Sequence, residues 1–75
     1  MNPFEDVPTV RNRAEHLDWV DDCITWLYAA VDAAWAQRRL GLWLIASTAL
    51  AWARAGRWAL AAGVIRVGYP LEGTR

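Results

Sequence analysis

Apolar residues fall into two long stretches of helical period, separated by a short break at Leu40-Gly41. The first stretch has the clearer pattern. At about 100° per residue, Leu17, Val20, Ile24, Leu27, Tyr28, Val31 and Trp35 form one stripe. Glu15, Asp18 and Asp22 fall on the far side, with Asp21 and Asp32 along the edge. This predicts helix 1 over about residues 9–39. Thr9 follows Pro8 at its start, and Asn12 with Glu15 forms a capping-box-like pair. Arg38 and Arg39 lie at its end, where cations suit the helix dipole. Before it, residues 1–8 read as an extended arm broken by Pro3 and Pro8, with Phe4 as a candidate anchor.

Residues 42–67, rich in Ala and Leu, predict helix 2. Gly41 suits the left-handed residue that closes helix 1, and Gly56 marks a place where helix 2 kinks or splits. Gly68 and Pro70 signal its end, leaving residues 69–75 as a polar tail. A tight turn at Gly41 makes the helices antiparallel, with residue i roughly level with residue 80 − i. Asp22 then faces Arg57, and Glu15 faces Arg66. A continuous helix offers no such matching, so the charges favour an all-α antiparallel hairpin over residues 9–68.

A phrase recurs across the break. Sliding TWLYAAVDAAWAQR (residues 25–38) by 17 positions onto LWLIASTALAWARA (42–55) matches W-L-x-A-x-x-x-x-A-W-A. The two tryptophans of each copy are nine residues apart and point to opposite sides of a helix. Trp35 belongs to the helix 1 stripe; Trp52 falls with Leu42, Ile45, Ala49, Gly56 and Ala59 on a smooth helix 2 face. These two are the expected core tryptophans. Trp19, Trp26, Trp43 and Trp58 are left over, and with Arg54 and Arg57 they form the candidate partner-binding set.

Composition sharpens this picture. The chain has 75 residues, 56% of them hydrophobic, with six Trp and one Cys. A chain this short builds a marginal core, and a lone Cys23 closes no internal disulfide. Dense helix packing or an oligomeric bundle is the remaining route to stability. The single Cys also fits a reducing compartment, so a cytoplasmic setting is expected. The acidic, proline-broken N-terminus lacks the pattern of a signal peptide.

Net charge is zero, from eight Arg and eight acids, with no Lys. This removes the basic excess that nucleic-acid binding requires. His16 and Cys23 are two helical turns apart, too far to ligate one metal ion. No phosphate loop or nucleophile elbow is present, and Ser47 and Thr48 are expected to bond back to helix carbonyls. The sequence thus points to no catalytic residue, metal or cofactor.

Residues 40–53 are apolar apart from Ser47 and Thr48, but as helix they reach only about 21 Å. A bilayer core is about 30 Å thick. Extending the span to Ile65 would bury Arg54 and Arg57 near mid-depth. The expectation is therefore a non-enzymatic interaction module: an accessory subunit, adaptor or inhibitor that binds itself or a larger protein. The alternative is a small subunit embedded in, or lying on, a membrane complex.

Overall fold

The computed structural model describes residues 2–69, and among these the regular structure is two helices, α1 (Arg13–Ala36) and α2 (Leu40–Ala62). They pack against each other as the all-α hairpin that the charge pattern favours. Pro70 and the tail that follows lie outside the described residues.

Helix α1 starts where its capping chemistry predicts. Asn12, in extended geometry, is the N-cap, and its Oδ1 accepts from the Glu15 amide at 2.9 Å. The Glu15 carboxylate reaches back to accept from the Arg11 amide at 3.0 Å, one residue earlier than in the standard box. One amide of the first turn, that of Glu15, and the Arg11 amide just outside the helix are thereby bonded.

The turn differs from expectation. Gly41 does not close α1; it lies in the first turn of α2. The left-handed residue is Arg38, at φ 57°. Its amide donates to the Trp35 carbonyl at 3.0 Å, and the Arg39 amide donates to Ala34 at 2.9 Å. This is a Schellman closure, built on a residue type that disfavours the left-handed region. The Arg38 guanidinium lies 5.0 Å from the centre of the Trp35 ring, a cation–π contact that offsets part of that cost.

Helix α2 runs without interruption through Gly56 and stops at Ala62, five residues earlier than expected. Gly63, at φ 74°, takes the left-handed position, and the Val64 amide donates to the Ala59 carbonyl at 2.9 Å. The expected closing residue, Gly68, lies five positions beyond the observed one. The β-branched Val64 and Ile65 that follow Gly63 disfavour a further helical turn.

The core is a single seam. Buried residues are Cys23, Leu27 and Ala34 on α1, with Ala46 and Leu60 on α2. On α2 the inward positions follow Trp43, Ala46, Leu50, Ala53, Arg57 and Leu60, a regular alternation of three and four residues. The stripe expected from the sequence, Leu42-Ile45-Ala49-Trp52-Gly56-Ala59, has the same alternation displaced by one residue. It leaves Trp52 75% exposed and Ile45 68% exposed, so Trp52 is no core residue. Trp35, the other expected core ring, sits at the edge of the seam. Two cross-helix contacts belong to the observed register: Trp43 meets Trp35 at a ring-centre distance of 5.6 Å, and Arg57 binds Asp21.

Candidate interaction surface

The six positions singled out by the sequence are dispersed around the hairpin. Trp19 and Trp26 lie on one flank of α1, under the N-terminal arm. Phe4 meets both edge-on, at 6.3 Å from Trp19 and 5.8 Å from Trp26. The Trp19 indole N–H donates to the Pro3 carbonyl at 3.1 Å. The arm thus supplies an intramolecular cover for two rings assigned to a partner, and Phe4 is the anchor the sequence suggested. Trp43 is half-buried against Trp35 within the seam. Only Trp58, of the four leftover rings, is largely exposed, at 65%.

The arginines separate in the same way. Arg57 Nε donates to Asp21 Oδ1, and Nη2 donates to Oδ2 at 3.4 Å. This fork-to-carboxylate pair raises the Arg57 pKa, first through the hydrogen bond and then through the charge of Asp21. The expected partner was Asp22, but the turn is one residue earlier than assumed, which shifts the register to its neighbour. Glu15 likewise pairs with Arg11, at 3.8 Å, while Arg66 lies beyond the end of α2. Arg54, Arg57 and Trp58 line an open groove with Asp21, Ile24 and Ala61.

Groups with chemical potential are held in structural roles. His16 Nδ1 lies 2.8 Å from the Tyr69 hydroxyl, tying the segment after α2 to the start of α1. Cys23 is 3% exposed, and burial, then the neighbouring Asp22 carboxylate, push its thiol pKa up. Thr48 donates to the Leu44 carbonyl at 2.9 Å, as expected for a helical hydroxyl. Among the described residues, no three His, Cys, Asp or Glu side chains gather at distances that hold a metal ion. A cleft of about 250 Å³ between the helices is lined largely by apolar residues, including Phe4, Leu27, Ala53 and Leu60.

The surface left uncovered is the outer face of α2. Leu40, Leu44, Ile45 and Trp52 are each at least 59% exposed, and Thr48, Ala51, Ala55 and Ala62 fill the space along the same side. Between Leu40 and Ala62 the only charged residues are Arg54 and Arg57, and Arg57 is turned to α1. By contrast, α1 carries five acids, with Asp18, Asp22 and Asp32 exposed. The hairpin therefore has one polar back and one apolar back. Sequence periodicity missed this face because α2 is apolar around most of its circumference. The usable signal was the absence of any acid from residues 33–71.

Among the described residues, no helix is long and apolar enough to cross a membrane. Comparison of the chain with protein-family models, with curated proteins and with solved structures finds no match.

Proposed function

We infer that this chain is a non-enzymatic protein-interaction module that acts by docking the outer face of α2 on a protein surface, in the first instance a second copy. The accessory, adaptor and inhibitor roles that such a module can fill all follow from surface occupancy. One observation carries the reading: Leu40, Leu44, Ile45 and Trp52 stand exposed on one uncharged helix face. Together they present on the order of 600 Å², at the upper end of the largest apolar patch on a typical monomer.

The thin core supports the same reading. Five residues are buried among those described, while thirteen large apolar side chains are exposed. The described chain measures 50 × 25 × 15 Å, little thicker than one helix. A slab of that thickness buries one seam and leaves its outer faces wet. Covering the α2 face would supply the apolar burial that the monomer lacks.

A membrane surface is a weaker occupant. A helix lying in the lipid interface draws on cations beside its apolar face. Here one flank offers Arg54, and the other, with Leu42, Ala49 and Gly56, has no charge of its own.

The test is the double variant Ile45→Glu, Trp52→Glu. Its far-UV helical signal is expected to match the parent, because both side chains face solvent, and its association is expected to disappear. Persistent association in the variant would place the interface elsewhere. Loss of helical signal at a concentration where the parent chain is itself monomeric and helical would make these residues core.

A further inference from the structure

Both non-helical ends of the described chain are drawn to the same side of the hairpin, where their rings adjoin those of α1. Phe4 meets Trp19 at 6.3 Å between ring centres, Trp19 meets His16 at 6.2 Å, and His16 meets Tyr69 at 5.6 Å. Beside this row runs the cleft of about 250 Å³ between the helices. We propose that the cleft is a binding site for a small, flat, uncharged aromatic molecule of one or two rings. The site is separate from the outer face of α2 and does not rest on docking there.

The two walls of the cleft are unlike. Phe4, His16 and Trp19 bring rings to the α1 side, whereas Ala49, Ala53 and Gly56 form a smooth wall on α2. The buried Cys23, Leu27 and Leu60 lie at its base, and the partly exposed Phe4 and Ile65 at its rim. Rings on one side and small residues on the other shape a slot that suits a planar molecule. A ring entering it finds aromatic partners for offset or edge-on contact along one side. Size agrees with this class. An apolar cavity of about 150 Å³ holds benzene, and pockets for drug-sized ligands start at about 300 Å³. The cleft, at about 250 Å³, falls between them.

Gly56 is a residue that the fold itself does not explain. It lies in the interior of α2, where glycine is the least favourable residue after proline, and its φ is not in the left-handed region. A Cβ added there meets nothing within 4 Å, so no neighbouring side chain requires the glycine. A larger residue at this position would narrow the cleft. Cys23 adds a polar signal at the base. It is 3% exposed, and among the described residues its thiol has no hydrogen-bond partner. That thiol offers a weak S–H donor to a ring bearing an acceptor atom. No charge is left over for an ionic ligand. Among the lining residues the one permanent charge, the Arg57 guanidinium, is held by Asp21, and the His16 ring is bonded to Tyr69.

Coumarin, two fused flat rings with a carbonyl acceptor, is the test probe. Titrated into the folded chain, it is expected to give saturable amide NMR shifts centred on Cys23, Ala53 and Gly56. Gly56→Leu places a side chain in the slot; it should keep the helical signal and weaken coumarin binding by about tenfold or more. Phe4→Ala removes one ring of the wall without touching the buried seam and should weaken binding by about threefold or more. The Ile45→Glu, Trp52→Glu chain is expected to bind as the parent does, which separates the cleft from the outer face of α2. Camphor, a globular ketone of similar size, is expected to bind about tenfold more weakly than coumarin. Absence of saturable shifts in the folded parent would overturn the site, as would shifts centred on the outer α2 face. Unchanged binding in both Gly56→Leu and Phe4→Ala would overturn it too. Camphor binding as tightly as coumarin would overturn the assignment to a flat ring.

Discussion

Arg38 and Gly41 have exchanged the roles that residue type would give them. Glycine adopts the left-handed region freely, yet Gly41 is helical and Arg38 occupies φ 57°. A Cβ added at Gly41 meets nothing within 4 Å, so Gly41→Ala is expected to stabilise the fold by about 0.5–1 kcal/mol in chemical denaturation. A glycine closing α1 would instead be destabilised by the same change. Conversely, Arg38→Val places a β-branched residue in the left-handed region and removes the contact with Trp35; a loss of about 1–2 kcal/mol is expected. The sequence showed a break but could not show its left-handed residue. Residue type favours Gly41 for that position, and the support that Arg38 draws from the Trp35 ring three residues earlier is a contact that periodicity does not display.

Cys23 supplies a second prediction at this scale. Burial and Asp22 raise its pKa, so the folded chain keeps the proton that the unfolded chain releases. With fewer protons bound in the unfolded state, stability falls as pH rises. The contribution is fully present below about pH 9.0, the ordinary thiol value, and is lost as pH rises through the higher folded value. Thermal melts of the parent and Cys23→Ala chains across this window should diverge in slope, with the parent falling more steeply. Reaction with a thiol reagent at neutral pH should be slow in the native chain and fast in denaturant. Rapid native reaction would mean the seam is open.

At the scale of elements, the two helices were not equally legible. The acids of α1 confine its apolar stripe, and Asn12 with Glu15 fixes its start, so both could be read directly. Even so, the packed centre is rotated from the expected stripe towards Cys23 and Ala34, and Tyr28 and Trp35 are left about half exposed. Small residues permit the closer approach. In α2 the apolar pattern satisfies two neighbouring seams equally well, and choosing between them needs the partner. The Asp21–Arg57 pair and the Trp35–Trp43 contact belong to one seam only, and both are long-range.

The N-terminal arm is an element without regular structure whose role was only half visible. Phe4 was a plausible anchor, but its covering of Trp19 and Trp26 removes two rings from the candidate interface. Phe4→Ala is expected to cost about 1 kcal/mol of stability, since edge-on aromatic pairs contribute about 0.5–1.5 kcal/mol beyond area burial. Tryptophan emission should shift to longer wavelength while oligomeric mass stays unchanged. A change in mass would return the arm flank to the interface.

For the whole molecule, the observed asymmetry is between a polar back on α1 and an apolar back on α2. That asymmetry explains how a chain with one thin seam and no internal disulfide could become stable: a second copy would cover what the first leaves wet. Association of this kind makes stability depend on concentration, because the assembled state is favoured by mass action. The repeated W-L-x-A phrase takes on a different meaning at this scale. Leu27 is buried whereas Leu44 is 60% exposed, and Ala34 is buried whereas Ala51 is exposed. In those pairs the first copy faces the seam and the second faces away.

The most direct test is the mass of the native chain by sedimentation equilibrium over a range of concentrations, without detergent. The monomer is 8.5 kDa. Covering of the α2 face by a second copy predicts a limiting mass of twice that value, returning to the monomer value in the Ile45→Glu, Trp52→Glu variant. A parent chain that stays at 8.5 kDa across the range, with its helices formed, would contradict the account.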